Sequence, residues 1–311
     1  MLPQYSTEQL IENIKRRCTV PTSQLTYTEN DFTLLANDEL QGKLVPLIMS
    51  AREEYFVDDY DVLVPSDGII DFPEHAIGAK LRSVCYLQQA SPLLLINLPR
   101  LDLDVIAGVG STLVTGFYIE GNTLRIYPST ALPTNTTLKI YFYRRTLVLA
   151  EPAQYGQILS IDTGSNTVVI SRTPTDWAVG TQLNTVSQKP NFETTAELLT
   201  VTAVSAPSVV LDTVVGIGVG DYLSGYGYSA IPQIPLEAHA YLAQLTAAMC
   251  LRGLGDREGA KDLEVEADLL KVGMFTMISQ RVDGSVKKVI NPDGGLRMGI
   301  GGRWGGARGG F

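Results

Sequence analysis

Ile234-Pro235-Leu236-Glu237-Ala238-His239-Ala240-Tyr241-Leu242-Ala243 opens the stretch that decides the fold, and Gly253-Leu254-Gly255-Asp256 divides it. Proline suits the first position of a helix, where its missing N–H is not needed. A helix is therefore expected from Pro235 to about Leu251. The glycines stop it, and Asp256 caps a second. That second helix carries Leu263, Ala267, Leu270, Met274 and Met277, at intervals of 4, 3, 4 and 3, one apolar stripe. Glu264, Glu266 and Asp268 fall off the stripe and are expected to face water. Its roughly 25 residues would span about 37 Å. The expectation is an αα-hairpin over residues 235–281.

Helix also opens the chain. Ser6-Thr7-Glu8-Gln9 has capping-box spacing, Leu10, Ile11 and Ile14 follow, and Lys15, Arg16 and Arg17 suit a helix C-terminus before Pro21 ends it. Thr28-Glu29-Asn30-Asp31 caps a second segment with Leu34, Leu35, Leu40 and Leu44, in which Pro46 makes a kink or a boundary. Met49 to Leu63 reads as more helix, stopped by Pro65-Ser66-Asp67-Gly68.

Between these helical ends the period changes from about 3.6 to 2. Gly116–Glu120 and Thr123–Tyr127 flank the hairpin turn Gly121-Asn122, and Leu138–Tyr143 alternates like a half-buried strand. Residues 68–148 form one β-rich module. In residues 149–231, Leu159–Ile161 and Val168–Ile170 bracket the turn Asp162–Asn166, and Leu199–Val204 and Val209–Leu211 bracket Ser205-Ala206-Pro207. That pattern predicts a second β module, a small barrel or sandwich. The expected fold class is α+β: a helical bundle of N- and C-terminal segments (residues 1–67 and 232–290), two inserted β-rich modules, and a flexible tail over 291–311.

With 311 residues, 45% hydrophobic and 18% charged, the chain is long enough for two or three cores. Its net charge of −9 is uneven: from Arg281 onward six cations oppose two acids, leaving −13 on the rest. Such a body is ill suited to wrapping nucleic acid. Three scattered cysteines (Cys18, Cys85, Cys250) and two histidines speak against a zinc cluster or a disulfide framework. The longest aliphatic run, Leu93–Ile96, is far below the roughly 20 residues of a bilayer span. No basic-plus-apolar signal stretch opens the chain, so a soluble protein of a reducing compartment, with no membrane partner, is expected.

Candidate chemistry is sparse. His239, one turn into its helix, reads as a helix-surface or interface histidine, and His75, after Phe72-Pro73-Glu74, as a loop residue. No nucleophile-elbow G-x-S-x-G accompanies either. Asp58, Asp59 and Asp61 lack the EF-hand ligand order and read as a solvated helix end. Gly216-Ile217-Gly218-Val219-Gly220-Asp221 misses the dinucleotide fingerprint, because its third glycine position is Asp221, and reads as a turn between strands. Gly108-Val109-Gly110-Ser111 lacks the lysine of a phosphate-binding loop. Met274 and Met277 read as core. No catalytic site, metal or cofactor is expected.

The tail is different. Nine of its 21 residues are glycine, yet Trp304 and Phe311 alternate with Arg297, Arg303 and Arg308. Each aromatic could contribute about 1.5–3 kcal/mol on burial, arginines can grip carboxylates bidentately, and 21 extended residues reach at most about 70 Å. Docking on another protein, an idle dangling end and arginine–glycine nucleic-acid binding are the three readings of this composition.

Taken together, Ile234–Ala243, the Gly253–Asp256 break, the helix through Met277, and the tail give a chain that resembles the head–tail adaptor (connector) proteins of short-tailed bacteriophages. The likeness is one of element order. It implies a virion protein assembled in the host cytoplasm: a homo-oligomeric ring, commonly of twelve copies, beneath the portal protein at the head–tail junction. Genomic DNA would pass through its channel without specific binding. The resemblance assigns Arg297, Arg303, Trp304, Arg308 and Phe311 to the portal contact. Residues 149–231 depart from the smallest adaptors and would face outward or meet downstream tail or fibre proteins. The alternatives are a ligand- or glycan-binding module, or a carbohydrate-active enzyme, which would need two carboxylates facing across a cleft.

Overall fold

The computed structural model describes residues 6–19, 26–89, 93–102, 115–129, 132–133, 136–189 and 192–279. The tail residues Arg297, Arg303, Trp304, Arg308 and Phe311, and the Gly108–Ser111 segment, lie outside the described residues.

The helical layer begins with α1 (Thr7–Arg17), where Ser6 accepts from the Gln9 N–H at 3.4 Å. Helix α2 (Glu29–Glu39) is capped reciprocally by Thr28 and Asp31. Pro46 has no N–H to offer the preceding turn, and the helix widens there to a π turn (Leu40–Leu44) before α3 (Val45–Ala51). The hairpin is α4 (Leu236–Gly253) and α5 (Arg257–Ile278), with Asp256 accepting from the Gly259 N–H at 2.9 Å. Helices α1 and α2 pack on α4 around Leu10, Ile14, Phe32, Ile48, Leu242 and Met274.

The helix expected to run to Leu63 stops at Ala51. Arg52 leaves helical backbone (φ −151°, ψ 84°), and after a 3₁₀ turn the chain becomes strand β1 (Val57–Leu63). The remaining strands of the first half are β2 (Ile69–Asp71), β3 (Ala76–Gln89), β4 (Leu94–Leu98), β5 (Gly116–Glu120), β6 (Thr123–Tyr127), β7 (Thr137–Arg144) and β8 (Val148–Leu149). β1 is drawn into the sheet by β7, from Val57 opposite Tyr143 to Leu63 opposite Thr137. Two antiparallel sheets result, ordered β1-β7-β3-β4 and β2-β6-β5. Val84, Leu98, Leu138 and Ile140 from the first meet Ile70, Phe117, Leu124 and Ile126 from the second in one core. The Gly121-Asn122 turn closes β5 on β6 as its sequence predicts, with Glu120 opposite Thr123 and Gly121 at φ 59°.

The second half is a closed barrel of β9 (Tyr155–Asp162), β10 (Thr167–Ile170), β11 (Gln182–Val186), β12 (Thr194–Ser205), β13 (Ser208–Leu211) and β14 (Tyr222–Gly225), ordered β10-β13-β12-β11-β14-β9. Its pairings obey a pseudo-two-fold. β9–β10 repeats as β12–β13, each with a register shift beside its last pair, Ile170 opposite Ile158 and Leu211 opposite Val201. Val168 faces its own equivalent Val209, and Asn184 its near-equivalent Ser224. Gly180 (φ 91°) and Gly220 (φ 95°) occupy matching turns in a backbone region that side chains disfavour. Trp177 and Ile217 hold matching places in the turns before β11 and β14, and both pack on the apolar side chains that fill the barrel. A short parallel pair, β8 with β15 (Tyr228–Ser229), follows.

A helical bundle with β inserts is therefore not the architecture. Strand accounts for 36% and helix for 33% of the described chain, in several antiparallel sheets, so the fold is β-rich. The physical reason is that the strands do not lean on the helices for burial: sandwich and barrel each close an apolar core of their own. The helical layer is one element among three.

Candidate functional site

A cleft of about 540 Å³ lies where β1, the Phe72–His75 turn and the end of β7 meet the start of β12 and Tyr226. The backbone sets it up. His75 O accepts from the Arg145 N–H at 2.6 Å, pinning the turn to the chain after β7. Behind it, Gln233, 1% exposed, donates to Phe192 O and Thr194 Oγ1, both at 3.0 Å, and accepts from the Leu147 N–H at 3.0 Å.

Across the cleft, the Tyr226 hydroxyl donates to Glu74 Oε2 at 2.5 Å. That carboxylate, together with burial, pushes the phenol up to about 12. His75 Nε2 stands 3.8 Å from Glu197 Oε1, and its ring centroid 5.7 Å from that of Tyr226. On β1, Asp59 and Asp61 share one face and both reach Lys139, at 2.5 and 3.6 Å. The Asp59 hydrogen bond raises the Lys139 ammonium above its ordinary value. Arg144 is 9% exposed, and its nearest carboxylate, Asp58 Oδ2, is 3.9 Å from Nε, beyond hydrogen-bonding distance.

The acidic run is thus not a helix end but a strand in which alternate aspartates meet a lysine one strand away. His75 stays on its loop but is drawn toward Glu197 and Tyr226, more than 100 residues distant. His239 is not at a surface. It is fully buried, with Nε2 3.3 Å from Ile234 O and its ring 5.1 Å from that of Phe192; burial lowers its pKa to about 4.

Met274 is core, whereas Met277 is 63% exposed, because the buried face of α5 follows Ala260, Ala267, Met274 and Ile278. Gly216–Asp221 is a turn, tied by Asp221 Oδ2 accepting from the Gly218 N–H at 2.9 Å. Cys18 and Cys250, remote in sequence, share the helical core, where the Cys18 thiol donates to Ala247 O at 3.3 Å.

Among the described residues, no group of three or more His, Cys, Asp or Glu is arranged to hold a metal ion, and no helix is long and apolar enough to cross a membrane. The chain matches no protein-family model, and no curated protein is found similar to it.

Proposed function

We propose that this chain is a structural virion protein that assembles into a ring joining the capsid portal to the tail around the DNA exit channel. The observation that carries the reading is the outward face of α5. Val265, Leu269 and Val272 are 58, 71 and 66% exposed, on the side away from the stripe buried in the core. Apolar side chains on the outward side of a helix offer a surface that a partner can cover. The partner this face fits is a second copy of the chain. The eight residues from Val265 to Val272 make a strip of about 12 Å, short of the about 800 Å² per partner of a stable free dimer. A contact of that size suits a closed ring, where each copy is held by two neighbours and a shared platform.

Charge supports the same reading. The −13 body favours passage of DNA over its retention, and the net +4 segment from Arg281, with Arg297, Arg303, Trp304, Arg308 and Phe311, supplies the contact to the portal. The test is the mass of the full-length protein alone and after mixing with a candidate portal ring. A large complex is expected in the mixture, and it should be lost when residues 291–311 are deleted although the shortened chain stays folded. Assembly that survives the deletion would remove the tail from the contact; a chain that ignores the portal would overturn the adaptor reading itself.

A further inference from the structure

Helices α1 and α4 come from opposite ends of the fold and run side by side in the same direction. At the start of α1 the Thr7 N–H donates to Ala230 O at 2.8 Å, just ahead of α4. At its end Arg17 bonds Gln244, and the Cys18 thiol donates to Ala247 O at 3.3 Å. Cys250 follows Ala247 by three residues on α4. A helical side chain leans back over the turn N-terminal to its own Cα, so the Cys250 thiol covers the turn on which Cys18 already rests. Both sulfurs belong to the helical core, at 4 and 0% exposure.

Each thiol registers the other. Cys250 holds the Cys18 thiol below its ordinary value, and Cys18 together with burial pushes Cys250 up. Alone, either residue would be a small apolar filler of the core. Adjacent, they form a dithiol that a single two-electron oxidation can close. Cys18 is the less buried of the two and caps the end of α1, so a small oxidant reaches it first. The third cysteine, Cys85, faces Asn97 across β3 and β4 in the sandwich and takes no part.

We propose that Cys18 and Cys250 are a redox modification site, closed to a disulfide by a small hydroperoxide and reopened by thiols. The Cys18 thiolate, the nucleophilic form, takes one oxygen from the peroxide; the O–O bond breaks, hydroxide leaves, and Cys18 becomes a sulfenic acid. The Cys250 sulfur then attacks the Cys18 sulfur. The S–S bond forms, the S–O bond breaks, and the oxygen departs as water with the Cys250 proton. The proton that Cys18 gave up neutralises the hydroxide, so two thiols are oxidised and one hydrogen peroxide is reduced to two waters. The bond ties α1 to α4 and encloses sandwich and barrel between its anchors. It is independent of ring assembly and is measured on the free chain.

The experiment treats the reduced full-length protein with hydrogen peroxide and follows its mass. Loss of two hydrogens is expected, with a linked peptide joining Cys18 to Cys250 in a non-reducing digest, both reversed by dithiothreitol. The urea midpoint of the oxidised form should rise by about 1 M, because the cross-link restricts the unfolded chain. Cys250→Ser should stop at a sulfenic acid on Cys18, captured by dimedone, whereas Cys18→Ser should leave Cys250 reduced. Far-UV spectra check that both variants fold, and Cys85→Ser should close as the parent does. Added oxygen without loss of hydrogens, a linked peptide through Cys85, or closure only after urea has opened the chain would overturn the site. Dimedone capture on Cys250 in the Cys18→Ser variant would reverse the order of attack.

Discussion

α4 and α5 leave the same turn and pack along one another, yet they bury their surfaces differently. α4 is enclosed on nearly every side: Ala238, His239, Tyr241, Leu242, Ala243, Gln244, Thr246, Ala247, Ala248 and Cys250 are all buried. Its alanines let α1, α2 and α5 approach closely, and its polar side chains are absorbed. Gln244 donates to Leu263 O at 3.2 Å and to Glu266 at 2.9 Å, and takes a hydrogen bond from Arg17; Thr246 donates to Leu242 O at 2.9 Å. α5 buries four residues on one stripe, rests Leu263 and Phe275 partly against the same core, and leaves Val265, Leu269, Val272 and Met277 in water. The lesson is that apolar content marks where a helix will be covered but not by what. α4 is covered by its own chain; in the proposed ring, α5 waits for another.

The largest effect that would sharpen this contrast is at Leu242, fully buried in the helical core. Leu242→Ala should cost about 2–5 kcal/mol, the lost transfer energy plus the cavity left behind. Urea unfolding should show the midpoint fall with the slope unchanged. A loss below about 1 kcal/mol would mean that α4 is not the enclosed member of the pair.

The next effect is a pH dependence that belongs to α4. Burial holds the His239 pKa at about 4, below its ordinary value of 6.5. Between those two values the unfolded chain binds a proton that the folded chain does not, so stability rises with pH across that window and levels off above it. The slope approaches about 1.4 kcal/mol per pH unit where the difference is complete. His239→Gln should flatten this part of the stability profile, read from urea midpoints between pH 4 and pH 7. An unchanged profile would assign the slope to other groups.

The two helices also mark what the sequence disclosed. The hairpin, its break and the Asp256 cap follow from local signals, because capping and glycine act over three or four residues. The glycines there are not equivalent. Gly255 supplies φ 86°, whereas Gly253 makes room for Tyr27, whose hydroxyl occupies the space a Cβ would need. The stripe on α5 was legible as apolar, but Leu263-to-Met277 spacing placed Met277 inside when the buried face runs through Ile278.

Residues 57–63 misled because their strand identity comes from β7, some 80 residues on, and not from their own alternation. Three aspartates within one strand carry little β preference. The barrel's two-fold was written locally and is seen only with the register in hand: Thr167-Val168-Val169-Ile170 matches Ser208-Val209-Val210-Leu211, and Val179-Gly180 matches Val219-Gly220. The cleft was not legible at all. His75, Arg144, Glu197 and Tyr226 come from four separate segments, and no spacing rule links them.

The smallest effect on stability is the one that decides what α5 is for. Leu269 is 71% exposed on the outward face. Replacing it with serine removes apolar surface that the isolated chain leaves in water, so Leu269→Ser should change the unfolding free energy by no more than about 0.5 kcal/mol. If a neighbouring copy covers this face, the same change removes a contact repeated at every interface of the ring. Assembly on the portal, followed by mass, should then fail or require far higher protein concentration, although each chain is as stable as before. A control on the enclosed side behaves in the opposite way, since Leu242→Ala lowers stability and leaves the outward face intact. Should Leu269→Ser assemble as the parent does, the outward stripe would be a tolerated exposure, and the ring would have to close through some other surface.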